Sequence, residues 1–199
     1  MDMNDQGKGM DQVSTVALAR VIERIQSNSR WQIDKFNDPD QEVCRLGRRG
    51  LALRLLTKQF YDRLYAREVF RGNCLLNEGI NELFTLICGT GATKFDSGNA
   101  YLGVGDTAAP AADPAQTGLQ APANKLYKAM DGGYPTYGSS QKGTWRSTFG
   151  ADDANWAWNE FTVANGGSDA AKNLNRKVEA KGTKGSGTTW ILTHEVSLT

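Results

Sequence analysis

From residue 95 to the end of the chain, apolar residues recur with a period of two and are broken at short intervals by turn-forming residues. That pattern admits few folds other than an antiparallel β-protein. Residues 189–198 show it most cleanly: Trp190, Leu192, His194, Val196 and Leu198 fall on one face, with Ile191, Thr193, Glu195 and Ser197 on the other. Further candidate strands cover residues 100–104, 125–130, 144–149, 155–163 and 174–180. Between them stand Asp131-Gly132-Gly133, Gly138-Ser139-Ser140, Asn165-Gly166-Gly167 and the polar stretch 181–187, all turn signals. Residues 107–122, rich in Ala and Pro, read as one long loop. Most of the 22 glycines lie after residue 70, as many turns require. The expected fold is therefore mainly β, an antiparallel sandwich or open barrel of jelly-roll-like kind with one packed helix.

That helix is predicted by Leu76, Ile80, Leu83, Phe84 and Ile87, which follow a helical i, i+4, i+7, i+8, i+11 spacing, with Asn77 as a cap and Gly89 as a terminator. Its stripe is expected to pack against a sheet.

The N-terminal third reads differently. Residues 1–12 are polar. Residues 13–26 predict a helix with Val13, Ala17, Leu18, Val21, Ile22 and Ile25 on one half of its surface and Arg20, Glu23 and Arg24 on the other. A helix so short must dock its apolar face somewhere. Residues 30–36 carry a weak strand signal. Then Asp38 is placed to cap a helix, Pro39 to begin it and Gln41 to close a capping box. Val43, Leu46, Gly50, Leu53, Thr57, Phe60 and Leu64 keep a 3–4 spacing that could carry this helix to about Tyr65. Gly47 and Gly50 weaken it by about 1 kcal/mol each and mark a place for a break. Residues 68–71 read as a strand. The expected organisation is a helical, basic N-terminal arm over residues 1–67 and a β-rich domain over 68–199.

Charge and cysteine content narrow the function classes. Lys and Arg number 23 and Asp and Glu 22, a net of +1, which argues against a general nucleic-acid binder. Residues 30–72 hold ten of the basic and six of the acidic residues, so positive charge gathers there. Cys44, Cys74 and Cys88 form no CxxC pair, and one histidine cannot complete a common structural zinc site. Reduced thiols are expected. The first dozen residues lack the apolar region of a signal peptide, and no apolar run reaches the roughly 18–20 residues of a membrane span.

Catalytic signals are few. His194, the single histidine, sits on the apolar face of a strand, where a satisfied structural role is expected. No G-x-S-x-G elbow occurs. Asp152 and Asp153 fall in a turn, and with Glu160 form no distinctive carboxylate pair. The run from Gly89 to Lys94 lacks the spacing of a phosphate loop and follows a helix. Gly103-Val104-Gly105 lacks the third glycine of a dinucleotide site. No catalytic, cofactor-binding or metal-binding residue is assigned, and an enzyme is not expected. Among the aromatics, Trp156 and Trp158 alternate against Phe161 and Val163, so one of the two sets is expected to face a subunit interface.

Four stretches resemble a family of small structural proteins of tailed bacteriophages: residues 73–81 (Asn73-Cys74-Leu75-Leu76-Asn77-Glu78-Gly79-Ile80-Asn81), 100–106 (Ala100-Tyr101-Leu102-Gly103-Val104-Gly105-Asp106), 149–161 (Phe149 to Phe161) and 190–199 (Trp190 to Thr199). The resemblance covers roughly residues 68–199 and leaves out the N-terminal helical segment. It implies a component of the virion, made in the cytoplasm of the host bacterium. The favoured role is a capsid decoration (cement) protein contacting the major capsid protein or other virion proteins, as a homo-oligomer, without direct contact to nucleic acid or membrane. A tail, collar, baseplate or fibre-attachment part is the alternative, and a carbohydrate-binding module using exposed tryptophans is a third reading. The candidate contact residues are Val13, Ala17, Val21 and Ile25 on the arm, Arg45, Arg48 and Arg49 in the basic segment, and Trp156 and Trp158.

Overall fold

The period-two segments form strands, and the strands form two antiparallel sheets. The computed structural model describes residues 29–50 and 58–197. In chain order the elements are β1 (Ser29–Asn37), α1 (Glu42–Arg48), α2 (Lys58–Tyr61), β2 (Leu64–Arg71), β3 (Cys74–Leu75), α3 (Asn77–Cys88), β4 (Tyr101–Gly105), β5 (Lys125–Ala129), β6 (Thr136–Ser139), β7 (Lys142–Phe149), β8 (Glu160–Ala164), β9 (Asn175–Val178) and β10 (Thr188–Ser197). One five-stranded sheet has the order β2-β1-β10-β7-β6 and the other β3-β9-β8-β4-β5.

The two sheets face each other across one core. Trp31, Ile33, Phe70, Phe149, Trp190 and Leu192 come from the first sheet, and Leu102, Val104, Phe161 and Val163 from the second. Trp158 stands edge-on to both Phe149 and Trp190, each at 4.8 Å between ring centroids. Burying each of these large side chains contributes about 1.5–3 kcal/mol, and the aromatic contacts fix how the sheets align. The architecture is a β-sandwich with one packed helix.

Residues 107–122 lack regular structure, as the Ala/Pro composition predicts. Residues 155–163 do not make one strand. The chain is irregular up to Asn159, with an isolated bridge between Ala157 and Thr183, and β8 starts only at Glu160. The parity argument that set Trp158 against Phe161 and Val163 therefore fails, and all three lie in the same core.

The long helix expected after Asp38 is also corrected. Helix α1 ends at Arg48, residues 51–57 lie outside the described residues, and by Leu64 the chain is a strand. The 3–4 spacing was nonetheless physical. Phe36, Val43, Phe60 and Ile191, with Leu46 and Leu64, form a second apolar cluster on the outer face of the first sheet, drawn from several elements. Gly47 lets α1 approach that face, since a Cβ there would lie 2.6 Å from Thr148 Oγ1. Asp38 does cap, from an unexpected place. Its carboxylate accepts the N–H groups of Val43 at 3.0 Å and Cys44 at 2.9 Å, while Gln41 occupies the N-cap in a left-handed conformation without a side-chain cap bond. No capping box forms.

The boundary expected between residues 67 and 68 passes through β2. Strand β1 pairs with β10 along its length and with β2 across a bulge between Lys35 and Phe36, so β1 and β2 both belong to the sandwich. The helix expected at residues 13–26 lies outside the described residues.

Helix α3 crosses one end of the sandwich. A Cβ on Gly79 would sit 2.4 Å from Leu174 Cα, so the helix meets the β8–β9 connection at its backbone. Glu82 accepts the Thr93 N–H at 2.7 Å and the Asn165 side-chain amide at 2.9 Å, and Leu86 packs on the core. The inward face is thus Gly79, Glu82 and Leu86. The stripe of Leu83, Phe84 and Ile87 is rolled about a third of a turn away from it, at about 100° per residue, and all three side chains are exposed. The expectation that this stripe packs on a sheet holds only at its base, where Leu76 is buried.

Candidate functional site

The chain's one imidazole is placed by β10 alternation into the core, where it is fully buried and stacked on Trp31 at 3.6 Å between centroids. Its Nε2 lies 2.7 Å from Asn175 Nδ2 and its Nδ1 3.3 Å from the Arg30 carbonyl oxygen. A neutral ring with the proton on Nδ1 donates to the carbonyl and accepts from the amide, satisfying both nitrogens. Burial pushes its pKa down to about 3. This is the structural role the sequence suggested: the ring locks β10 to β9 across the two sheets.

Two further polar clusters do the same for the connections. Asp131 accepts from Arg146 Nε at 2.8 Å, Thr148 Oγ1 at 2.8 Å and the Thr148 N–H at 3.0 Å, and Arg146 also reaches the Gly47 carbonyl at 2.9 Å, tying α1 to the sheet. Burial raises the Asp131 carboxyl above the ordinary carboxylate range despite the arginine. On the other sheet, Glu160 accepts Arg176 Nε at 2.7 Å and the N–H groups of Gln120 at 2.9 Å and Ala121 at 2.7 Å. That pair is fully buried and fastens the 107–122 loop over the sheet. Among the described residues no group of three His, Cys, Asp or Glu side chains is placed to hold a metal ion.

The expected contact residues scatter. Val13, Ala17, Val21 and Ile25 lie outside the described residues. Arg45, Arg48 and Arg49 line an open cleft of about 690 Å³ beside α1, with Asp40, Glu42 and Cys44. Arg48 is held at 3.1 Å by Asp153, whose carboxyl burial would raise but the hydrogen bonds of Lys128 and the Gly150 N–H bring down. Trp158 is corrected: it is 0 % exposed and donates from Nε1 to the Ala154 carbonyl at 3.0 Å, so it cannot meet a partner. Trp156 is half-buried against the same core. The irregular backbone before Glu160 turns both rings inward.

A different surface is built for contact. Strand β2 is an edge of the first sheet, and among the described residues no strand lies beyond it. A bulge between Lys35 and Phe36 leaves Tyr65 unopposed, and from there Arg67, Val69 and Arg71 alternate outward while Ala66, Glu68 and Phe70 turn in. Tyr65 is 49 % exposed and Val69 48 %. The row is rigid. Arg67 is fixed by the buried Asp34 carboxylate, which also accepts Gln32 Nε2 at 2.7 Å. The Tyr65 hydroxyl accepts from Trp190 Nε1 at 2.8 Å. An apolar and basic row on an unpaired edge can take an added strand or an acidic and apolar partner surface. Sequence reasoning read only residues 68–71 of it as a strand and drew residues up to Tyr65 into a helix, although the alternation of residues 64–71 was present to be read.

Compared with known proteins, the chain matches no family model, no curated protein and no solved structure.

Proposed function

We propose that this chain is a structural component of a tailed-phage virion, a capsid decoration (cement) protein that bridges capsid subunits. The observation that carries this reading is the β2 edge: an outward row of Arg67, Val69 and Arg71 on an exposed strand of a densely packed sandwich. Two more observations support it. The sequence resemblance covers residues 68–199, most of the sandwich. Buried hydrogen-bonded clusters at His194, Asp131 and Glu160 tie strands, helix and loop into one body, as a clamp under load needs. The partner is the major capsid protein or another virion protein.

Co-sedimentation of the purified chain with expanded heads of the phage that encodes it tests the proposal. Saturable binding of hundreds of copies per head is expected, weakened at least about tenfold by Val69→Asp, a charge desolvated at the contact costing more than 1.4 kcal/mol. Binding of a few copies would favour the tail, collar or baseplate alternative. No binding at all would end the cement reading.

A further inference from the structure

Four rings line up across the inner face of the first sheet. Phe70, Trp31, His194 and Trp145 are direct cross-strand neighbours on β2, β1, β10 and β7. Successive centroids stand 6.1, 3.6 and 6.1 Å apart, and no two neighbouring planes differ by more than 26°. The first three rings are buried, and the row reaches the surface at the half-buried Trp145. There Trp145 forms one wall of a cleft of about 360 Å³. We propose that this cleft is a binding site for a neutral carbohydrate, which seats a pyranose ring against Trp145 and Tyr137. The inference is independent of the virion reading.

Two flat apolar surfaces shape the cleft. Trp145 is held in place: its Nε1 donates to the Phe95 carbonyl at 3.1 Å, and the ring stacks on His194. A Cβ on Gly143 would lie 2.8 Å from the Trp145 ring, so glycine at this strand position is what lets the indole lie along β7. Tyr137, on the edge strand β6, lines the same cleft. At 79 % exposure it is the most exposed aromatic ring among the described residues, so the core has no use for it. An aromatic face attracts the C–H face of a ring ligand, and one fixed before binding loses little entropy in doing so.

The polar groups decide what kind of ring fits. Lys94 and Asp96 both line the cleft, one of each charge, so neither an anion nor a cation is favoured. Asp96 is positioned by its Oδ1, which accepts the N–H groups of Gly98 at 3.2 Å and Asn99 at 3.1 Å and the Asn99 side-chain amide at 2.8 Å. Its Oδ2, the Lys94 ammonium and the Tyr137 hydroxyl have no partner among the described residues. A wholly apolar ligand would strip these groups of water and give nothing back. A neutral sugar supplies both halves: C–H faces for the two rings, and hydroxyls that donate to Asp96 and accept from Lys94. The volume lies at the small end of the range for ligand sites, which suits the end of a glycan chain.

Titration of the full-length chain with neutral di- and trisaccharides built on glucose, galactose, mannose and N-acetylglucosamine tests the site. Binding is read by tryptophan fluorescence and by saturation-transfer NMR. At least one member of the panel is expected to bind saturably. Tyr137→Ala should weaken that binding about tenfold, whereas Tyr61→Ala, at an exposed tyrosine on α2, should leave it unchanged. Both tyrosines are on the surface, so the sandwich stays folded, which the near-ultraviolet tryptophan signal reports. Flat titrations across the whole panel, or equal affinities in the two variants, would overturn the proposal. So would preference for sialic-acid-terminated glycans over neutral ones. Binding of short peptides carrying Trp or Tyr in place of the sugars would overturn it in favour of a protein contact.

Discussion

Acidification should unfold this protein through a single imidazole. The chain has one histidine, and in the fold His194 is fully buried with its pKa lowered by burial to about 3, against the ordinary 6.5. Between those values the unfolded chain binds a proton that the native chain refuses, so stability is complete above pH 6.5 and falls as pH drops towards 3. Each pH unit in that window is worth about 1.4 kcal/mol. Going from pH 7 to pH 5 should thus remove about 2 kcal/mol through this residue alone. Carboxylates add their own dependence at lower pH, so the measurement is a difference. Urea unfolding of the parent and of His194→Gln, at pH 7 and pH 5, should show the parent losing about 2 kcal/mol more than the variant. Should the variant fail to fold, the Cε1 proton resonance of the only histidine in the parent gives the same answer, staying at its neutral position down to pH 4. An imidazole titrating near 6.5 in the folded protein, or equal losses in parent and variant, would refute the reasoning.

Three other perturbations follow from the same structure. Asp131→Asn leaves Arg146 buried without its counter-charge and should cost about 3–5 kcal/mol in a denaturant titration; a cost below 1 kcal/mol would mean that the pair is not buried as described. Glu160→Gln should release the loop it fastens, with backbone amide exchange at Gln120 and Ala121 rising at least tenfold while exchange in β10 rises less. Gly79→Ala should lower stability by about 1–3 kcal/mol, because the new methyl meets the Leu174 backbone and pushes α3 off its seat.

How legible the fold was depended on where side-chain period and backbone agreed. Strands β4, β5, β7, β9 and β10 were found because each sits between recognisable turns. Only the second half of β2, residues 68–71, was read as a strand, because Leu64 also continued a helical 3–4 spacing begun at Val43. The spacing reflected a shared apolar cluster fed by separate elements, and such a cluster looks the same in sequence whether or not the backbone between its members is continuous. Strand β6, with every residue exposed, has no buried face to write a pattern. The structural part of His194 was readable, since its parity in β10 placed it inward. Trp156 and Trp158 were not, because parity means nothing where the chain is irregular. The α3 stripe was found but its direction was not: Gly79, the residue that lets the helix touch the sheet connection, carries no hydrophobicity to mark that face.

A reconstruction of the virion to which this chain is proposed to belong bears most directly on the proposed function. The two-sheet sandwich is expected on the outer surface of the head, with Arg67 and Val69 of β2 turned against a neighbouring capsid subunit. Density for the sandwich confined to the tail, or a head-bound copy whose β2 edge faces open solvent, would contradict it.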